Sequence, residues 1–132
     1  MRMKTILVSV RYPVNKNGKK TLKYAYFLAK LINAKLKIVH VIPKEFTIDP
    51  EIIKKNTTKK IKPLMPDGTP VIIYFSNLIT GLKRAVKENR ADLLIMGAHK
   101  RNLLDNILED VIDMDVTARI VKKVPCPVLI VK

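Results

Sequence analysis

The stretch TILVSV, Thr5–Val10, decides how the chain is read. Its β-branched and aliphatic residues run without polar alternation except at Ser9, the pattern of a strand covered on both faces. Strands of that kind belong to parallel sheets, and parallel neighbours need long crossover connections, usually helices. The rest of the chain supplies them. KNGKK, residues 16–20, reads as a turn, and from Thr21 onward Leu22, Ala25, Tyr26, Ala29 and Ile32 form one stripe of an amphipathic helix. Lys20, Lys23, Lys30 and Lys35 fall mostly on its solvated side. KLKIVHVI, Lys35–Ile42, is a second strand, stopped by Pro43.

Asp49 ahead of Pro50 and Glu51 is a helix start, with the aspartate as N-cap and the proline in the first turn; Pro63 and Pro66 end this short helix. PDGT, residues 66–69, is a turn, and Val71–Phe75 is a third strand. Asn77 caps a helix carrying Leu78, Leu82, Ala85 and Val86, which runs to about Asn89. Ala91–Gly97 is the fourth strand. A helical pattern through Ile107, Val111, Met114, Ala118 and Val121 follows, and PCPVLIVK closes the chain as the fifth strand. Helices alternating with apolar strands imply a parallel sheet covered on both sides, an α/β fold, in one domain spanning residues 1–132. Ligands of such sheets bind beyond the carboxyl ends of the strands, where strand order reverses.

Composition narrows the function classes. Hydrophobic residues make up 48% of the chain, enough for a real core and against disorder. No apolar run approaches the roughly 20 residues of a membrane span. The opening MRMKTILVSV has too short an apolar part for a signal peptide and is interrupted by Arg11. Cys126 is the single cysteine, so a disulfide framework is impossible and a cytoplasmic location is the default. The formal charge of +15 is uneven: residues 1–66 hold 16 Lys/Arg against 3 acids, and residues 67–132 hold 10 against 8. Such a field attracts polyanions, nucleic acid or anionic lipid. The lysines are scattered and aromatics few, so only weak, non-specific nucleic-acid binding is expected. The absence of glutamine and the abundance of Lys and Ile point toward a thermophile; eight asparagines point the other way.

The chemistry-bearing stretch is DLLIMGAHKRNLLDNILEDVIDMDV, Asp92–Val116. A buried strand runs into Gly97, then Lys100 and Arg101, as an anion-binding turn often begins, but Asp105, Glu109, Asp110, Asp113 and Asp115 follow. His99 lies in this loop and is a candidate for acid–base chemistry, although a partly exposed loop histidine is the plainer reading. His40, inside the apolar run KIVHVI, reads as structural, and Cys126, between two prolines, as a packed thiol. Two histidines and one cysteine make no metal-ligand spacing. The cluster Lys54, Lys55, Lys59, Lys60 and Lys62 reads first as a solvated helix face and second as a phosphate-backbone contact.

Four pieces of the chain carry a resemblance: ILVSV at 6–10, AKLKIVHV at 34–41, ADLLIMGAH at 91–99 and VPCPVLIV at 124–131. In this order and spacing they resemble the universal stress protein family over nearly the whole length. The resemblance implies a three-layer α/β/α fold of the adenine-nucleotide alpha-hydrolase-like type. Its five-stranded parallel sheet has order 3-2-1-4-5, and the usual assembly is a homodimer. The segment Lys44–Met65 is shorter than the family's usual one. Many members bind ATP through glycine-x-x-glycine, nine residues, then glycine and Ser/Thr; glycines let backbone amides approach phosphate oxygens at a helix N-terminus. Here the pattern begins at Gly97 and then fails, with Lys100 at the second glycine, Asp110 at the third and Val111 at the Ser/Thr. Arg11 stands where the family tends to have an aspartate after the first strand, while Val41, on the adenine side, and Met96 match.

The family pocket positions therefore fall on Arg11, Val41, Met96, Gly97, His99, Lys100, Asp110 and Val111. If the last helix begins near Asp110, that carboxylate caps it, a contribution of about 1 kcal/mol, and occupies the place of a phosphate. The expectation is a non-enzymatic, dimeric binding or regulatory module in the stress response, with a degenerate ATP site and no cofactor. The first alternative is an ATP-binding switch with Lys100 and Arg101 on the phosphates. The second is a polyanion-binding protein. Val128, Leu129, Ile130 and Val131 are apolar on both faces of an edge strand, which points to a homodimer through this strand.

Overall fold

In a computed structural model of the chain, residues 2–98 and 114–132 are described. The elements are β1 (Thr5–Ser9), α1 (Lys16–Ile32), β2 (Lys35–Ile42), α2 (Pro50–Ile61), β3 (Val71–Phe75), α3 (Leu78–Glu88), β4 (Leu93–Gly97), α4 (Met114–Lys123) and β5 (Val128–Val131). The five strands form one parallel sheet of order β3-β2-β1-β4-β5. The parallel α/β architecture is the one read from the strand pattern, and the strand order is the one the family resemblance implied.

The unbroken apolar run of β1 finds its cover as expected. Ile6, Leu7 and Val8 are wholly buried. Ile6 and Val8 join Ile38 and Ile95 beneath Leu22, Ala25 and Ala29 of α1 and Ile61 of α2. Leu7 points the other way, with Val39, Leu94 and Met96, toward Leu82, Ala85 and Val86 of α3, Ile120 of α4 and Val124 just past that helix. Period-two alternation thus sends neighbouring residues of each strand into two separate cores.

Two local expectations are corrected. Helix α1 starts at Lys16, not Thr21: the Asn15 side chain caps it by accepting the Gly18 N–H at 2.8 Å. The Asn-Gly pair is helical, and Gly18 is small for packing, since a Cβ there would lie 3.2 Å from Val14 Cγ1. In α4 the expected stripe through Ala118 and Val121 is exposed, while Ile120 and, just past the helix, Val124 are buried. Two apolar stripes lie side by side on this helix, and the sheet takes the one with the larger isoleucine.

The caps at Asp49 and Asn77 form as read from the sequence, accepting from the N–H groups of Glu51 and Thr80. Asp92 accepts the backbone N–H groups of Lys4 and Thr5 at 2.8 and 3.0 Å, tying the start of β4 to that of β1; these bonds hold its carboxyl below the usual aspartate range. Strand β5 pairs with β4 and lies at the sheet edge. Its alternation is as expected: Val128 and Ile130 pack toward the α3/α4 core and Leu129 and Val131 toward the α1 core, all four half-buried.

One contact fixes where α3 sits. A Cβ on Gly81 would meet Val41 Cγ1 at 2.6 Å and Cγ2 at 3.0 Å, so the helix backbone rests directly on a β-branched side chain. Gly81→Ala should destabilise the fold by about 1–2 kcal/mol, the overpacking cost outweighing the helix-propensity gain. In a denaturation double-mutant cycle, Gly81→Ala with Val41→Ala should cost at least about 1 kcal/mol less than the sum of the single changes. Additive costs would refute the contact.

Candidate functional site

The switch point lies at the carboxyl ends of β1 and β4. Ser9 of β1 is flanked in register by Val39 of β2 and Met96 of β4, so the chain leaves β1 at the place where strand order reverses. Three segments bound it: the β1–α1 loop with Arg11, the end of β2 with Val41, and the end of β4 with Met96 and Gly97. Arg11 is exposed on its loop. Val41 is half-buried and seated against Gly81, and Met96 is packed in the α3/α4 core. Gly97 has a packing reason of its own, because a Cβ would lie 3.0 Å from Thr21 Oγ1 on α1. The structure therefore brings Val41 and Met96 to one sheet face, on the strands either side of β1, but engages both in packing. His99, Lys100, Asp110 and Val111, and with them the expected cap of the last helix, lie outside the described residues.

The β1–α1 loop is anchored by a cluster that sequence reasoning did not assemble. His40 is wholly buried. Its Nδ1 lies 2.9 Å from the Val10 carbonyl and its Nε2 2.9 Å from Thr57 Oγ1. A carbonyl only accepts, so Nδ1 carries the proton, and in the neutral ring Nε2 accepts from the threonine hydroxyl. Burial pushes the His40 pKa below its ordinary 6.5, the Val10 carbonyl opposing this. Tyr12 meets the imidazole edge-to-face at 5.5 Å between ring centroids, and its hydroxyl accepts from Asn56 Nδ2 at 2.9 Å. The loop is thus tied to β2 and α2 at two points. The available signal was the Ile53, Thr57, Ile61 spacing, which places a lone hydroxyl on the buried face of α2.

On the α1 side of the sheet, the side that also carries the His40 cluster, a solvent-open cleft of about 30 Å³ is lined by Asn17, Lys20, Thr21, Gly97, Ala98, Val131 and Lys132. It is smaller than typical pockets for drug-sized ligands. Among the described residues no group of His, Cys, Asp and Glu is placed to hold a metal ion. Cys126 is half-buried against the α3/α4 core, and burial pushes its thiol pKa up, away from nucleophilic character.

An all-parallel five-stranded sheet of order 3-2-1-4-5 with helices on both faces defines a class of α/β proteins with ligand sites at the switch point. The chain belongs to the universal stress protein family, whose model matches residues 3–132. Solved structures agree in fold. A universal stress protein in complex with cAMP superposes with a TM-score of 0.69 at 20% identity, covering 99% of this chain and 98% of that one. A universal stress protein from Archaeoglobus fulgidus in complex with dAMP gives 0.66 at 17% identity, with 100% of both chains covered. UspA from Lactobacillus plantarum gives 0.69 at 16% identity, covering 100% of this chain and 99% of that one. No curated protein matches the sequence.

Burial of His40 carries a pH consequence. The unfolded chain takes up the proton near the ordinary 6.5 and the folded chain only at lower pH. The stability linked to a neutral His40 is therefore fully present above 6.5 and is lost as pH falls below it, by at most about 1.4 kcal/mol per pH unit. Urea denaturation from pH 7.5 to 5 should show this fall in the native protein. It should be flattened in His40→Gln, which removes the titrating ring. Parallel pH profiles for the two proteins would contradict the assignment.

Proposed function

We propose that the chain is a non-enzymatic, dimeric binding module of the universal stress family, acting in the cytoplasm, whose nucleotide site is taken over by its own carboxylate. The observation that carries this reading is the exposed cation Arg11 on the anchored β1–α1 loop, at the position where the family tends to have an aspartate close to the nucleotide. A guanidinium donates five hydrogen bonds and accepts none, so it cannot take over a carboxylate's acceptor role toward ribose hydroxyls. The sequence supports the same reading on the phosphate side. Asp110 stands at the third glycine position of the family motif. A phosphate about 4 Å from an unneutralised carboxylate would meet a repulsion of roughly 4 kcal/mol at an effective dielectric of 20. The chain then works through protein contacts, with its conformation independent of nucleotide.

A second reading has specific support. Two structural neighbours were solved with the adenine nucleotides cAMP and dAMP. In that reading Lys100 and Arg101 hold phosphates, Val41 and Met96 bound the base, and Arg11 lies at the rim. Calorimetry with Mg-ATP separates the two. The first reading expects no binding tighter than about 100 μM, roughly −5.5 kcal/mol. A low-micromolar isotherm would favour the second. In the triple variant Lys100→Gly, Asp110→Gly, Val111→Ser, which restores the motif, ATP affinity should rise.

The dimer is proposed through β5. Among the described residues this edge strand has one neighbouring strand, β4, and its four apolar side chains Val128, Leu129, Ile130 and Val131 are only half-buried. An edge strand offers unpaired backbone groups to another copy, and a two-fold pairing would satisfy them in a closed assembly. Light scattering at micromolar concentration should report about twice the chain mass of 15.1 kDa. Leu129→Lys or Ile130→Lys should halve it or unfold the protein. A stable monomer of the unaltered chain would remove the dimer from the reading.

A further inference from the structure

Helix α1 turns an unusual face to solvent. Its inward side is Gly18, Thr21, Leu22, Ala25 and Ala29. On the outer side Tyr24, Phe27 and Leu31 follow one another at spacings of three and four, one line along the helix, and are 46%, 63% and 69% exposed. Exposed Lys16, Lys19, Lys20 and Lys23 lie around this line, and α1 contains no acidic residue. The neighbouring α2 covers the same side of the sheet and adds exposed Lys54, Lys55, Lys59 and Lys60.

We propose that this outer face of α1 docks on an anionic lipid surface. Tyr24, Phe27 and Leu31 enter the boundary between headgroups and acyl chains, and the surrounding lysines reach lipid phosphates. The inference is independent of the fate of the nucleotide site. Charge selects among the occupants of an apolar face. A second copy meeting it through the same face would set one acid-free, lysine-flanked α1 against another, a local like-charge contact that the apolar β5 edge does not impose. A duplex nucleic acid would satisfy the lysines but offers no apolar environment to Phe27 and Leu31. An anionic membrane accepts both: helices with basic and apolar side chains side by side lie in the interface plane, and lysine stems extend to the headgroups while their apolar neighbours sink deeper. Seventeen residues, roughly 25 Å of helix, give a docking edge that needs no unfolding, because the inward side stays on the sheet.

Flotation of the full chain with lipid vesicles tests this. Binding is expected to vesicles of phosphatidylcholine mixed with phosphatidylglycerol, and not to phosphatidylcholine alone, and should weaken as salt is raised. Phe27→Ser with Leu31→Ser should reduce vesicle binding about tenfold or more, while leaving affinity for a duplex oligonucleotide unchanged. Lys20→Glu with Lys23→Glu should reduce it further. All four positions are exposed, and circular dichroism of each variant checks that the fold is kept. Absence of binding to the mixed vesicles would overturn the proposal. So would vesicle binding insensitive to the serine pair; an oligonucleotide bound more tightly than the mixed vesicles would assign the face to nucleic acid instead.

Discussion

The structure depends on one constraint: β1 is buried on both faces and must be covered on both. Ile6 and Val8 commit one side to α1, and Leu7 commits the other to the layer of α3 and α4. A parallel sheet allows no shorter solution, because each return to its amino-terminal edge takes a crossover, and right-handed crossovers then place the first two helices on one side and the last two on the other. The observed strand order 3-2-1-4-5 meets this requirement and puts the switch point beside β1. The location of the site is therefore a consequence of how the core is closed.

Close approach of helices to strands sets the shape of that end of the molecule. Gly81 lets α3 rest on Val41, and Gly97 lets α1 pass beside the end of β4. Both contacts engage residues at family nucleotide positions, so their identity here has a packing cause whether or not a ligand binds. The β1–α1 loop is likewise held by protein groups, through His40 to Val10 and Thr57 and through Tyr12 to Asn56. A loop anchored in this way presents Arg11 from a fixed base.

The strands were legible because continuous apolar runs such as TILVSV and KLKIVHVI have one physical use in a chain this size, and the caps at Asp49 and Asn77 were legible because the side-chain chemistry is local. Local signals also misled. Asn17-Gly18 has the composition of a turn, yet the pair is helical because Asn15 caps α1 ahead of it, and Gly18 packs closely on Val14. On α4 the sequence offers two apolar stripes, and only the tertiary fit chooses Ile120 over Val121. The His40 cluster joins residues far apart in sequence, so of its members the sequence singled out only His40, as structural. At the site, Arg11, Val41, Met96 and Gly97 were found by resemblance and sit at the expected end of the sheet, while the departures at Lys100, Asp110 and Val111 remain statements about sequence.

We propose that this end of the sheet carries no nucleotide. Native mass spectrometry of gently purified protein tests it most directly, because any ligand retained from the cell appears as added mass on the intact chain. The account predicts protein masses without an adenine-nucleotide increment. A stoichiometric increment matching AMP, ADP, ATP or a cyclic form would contradict it.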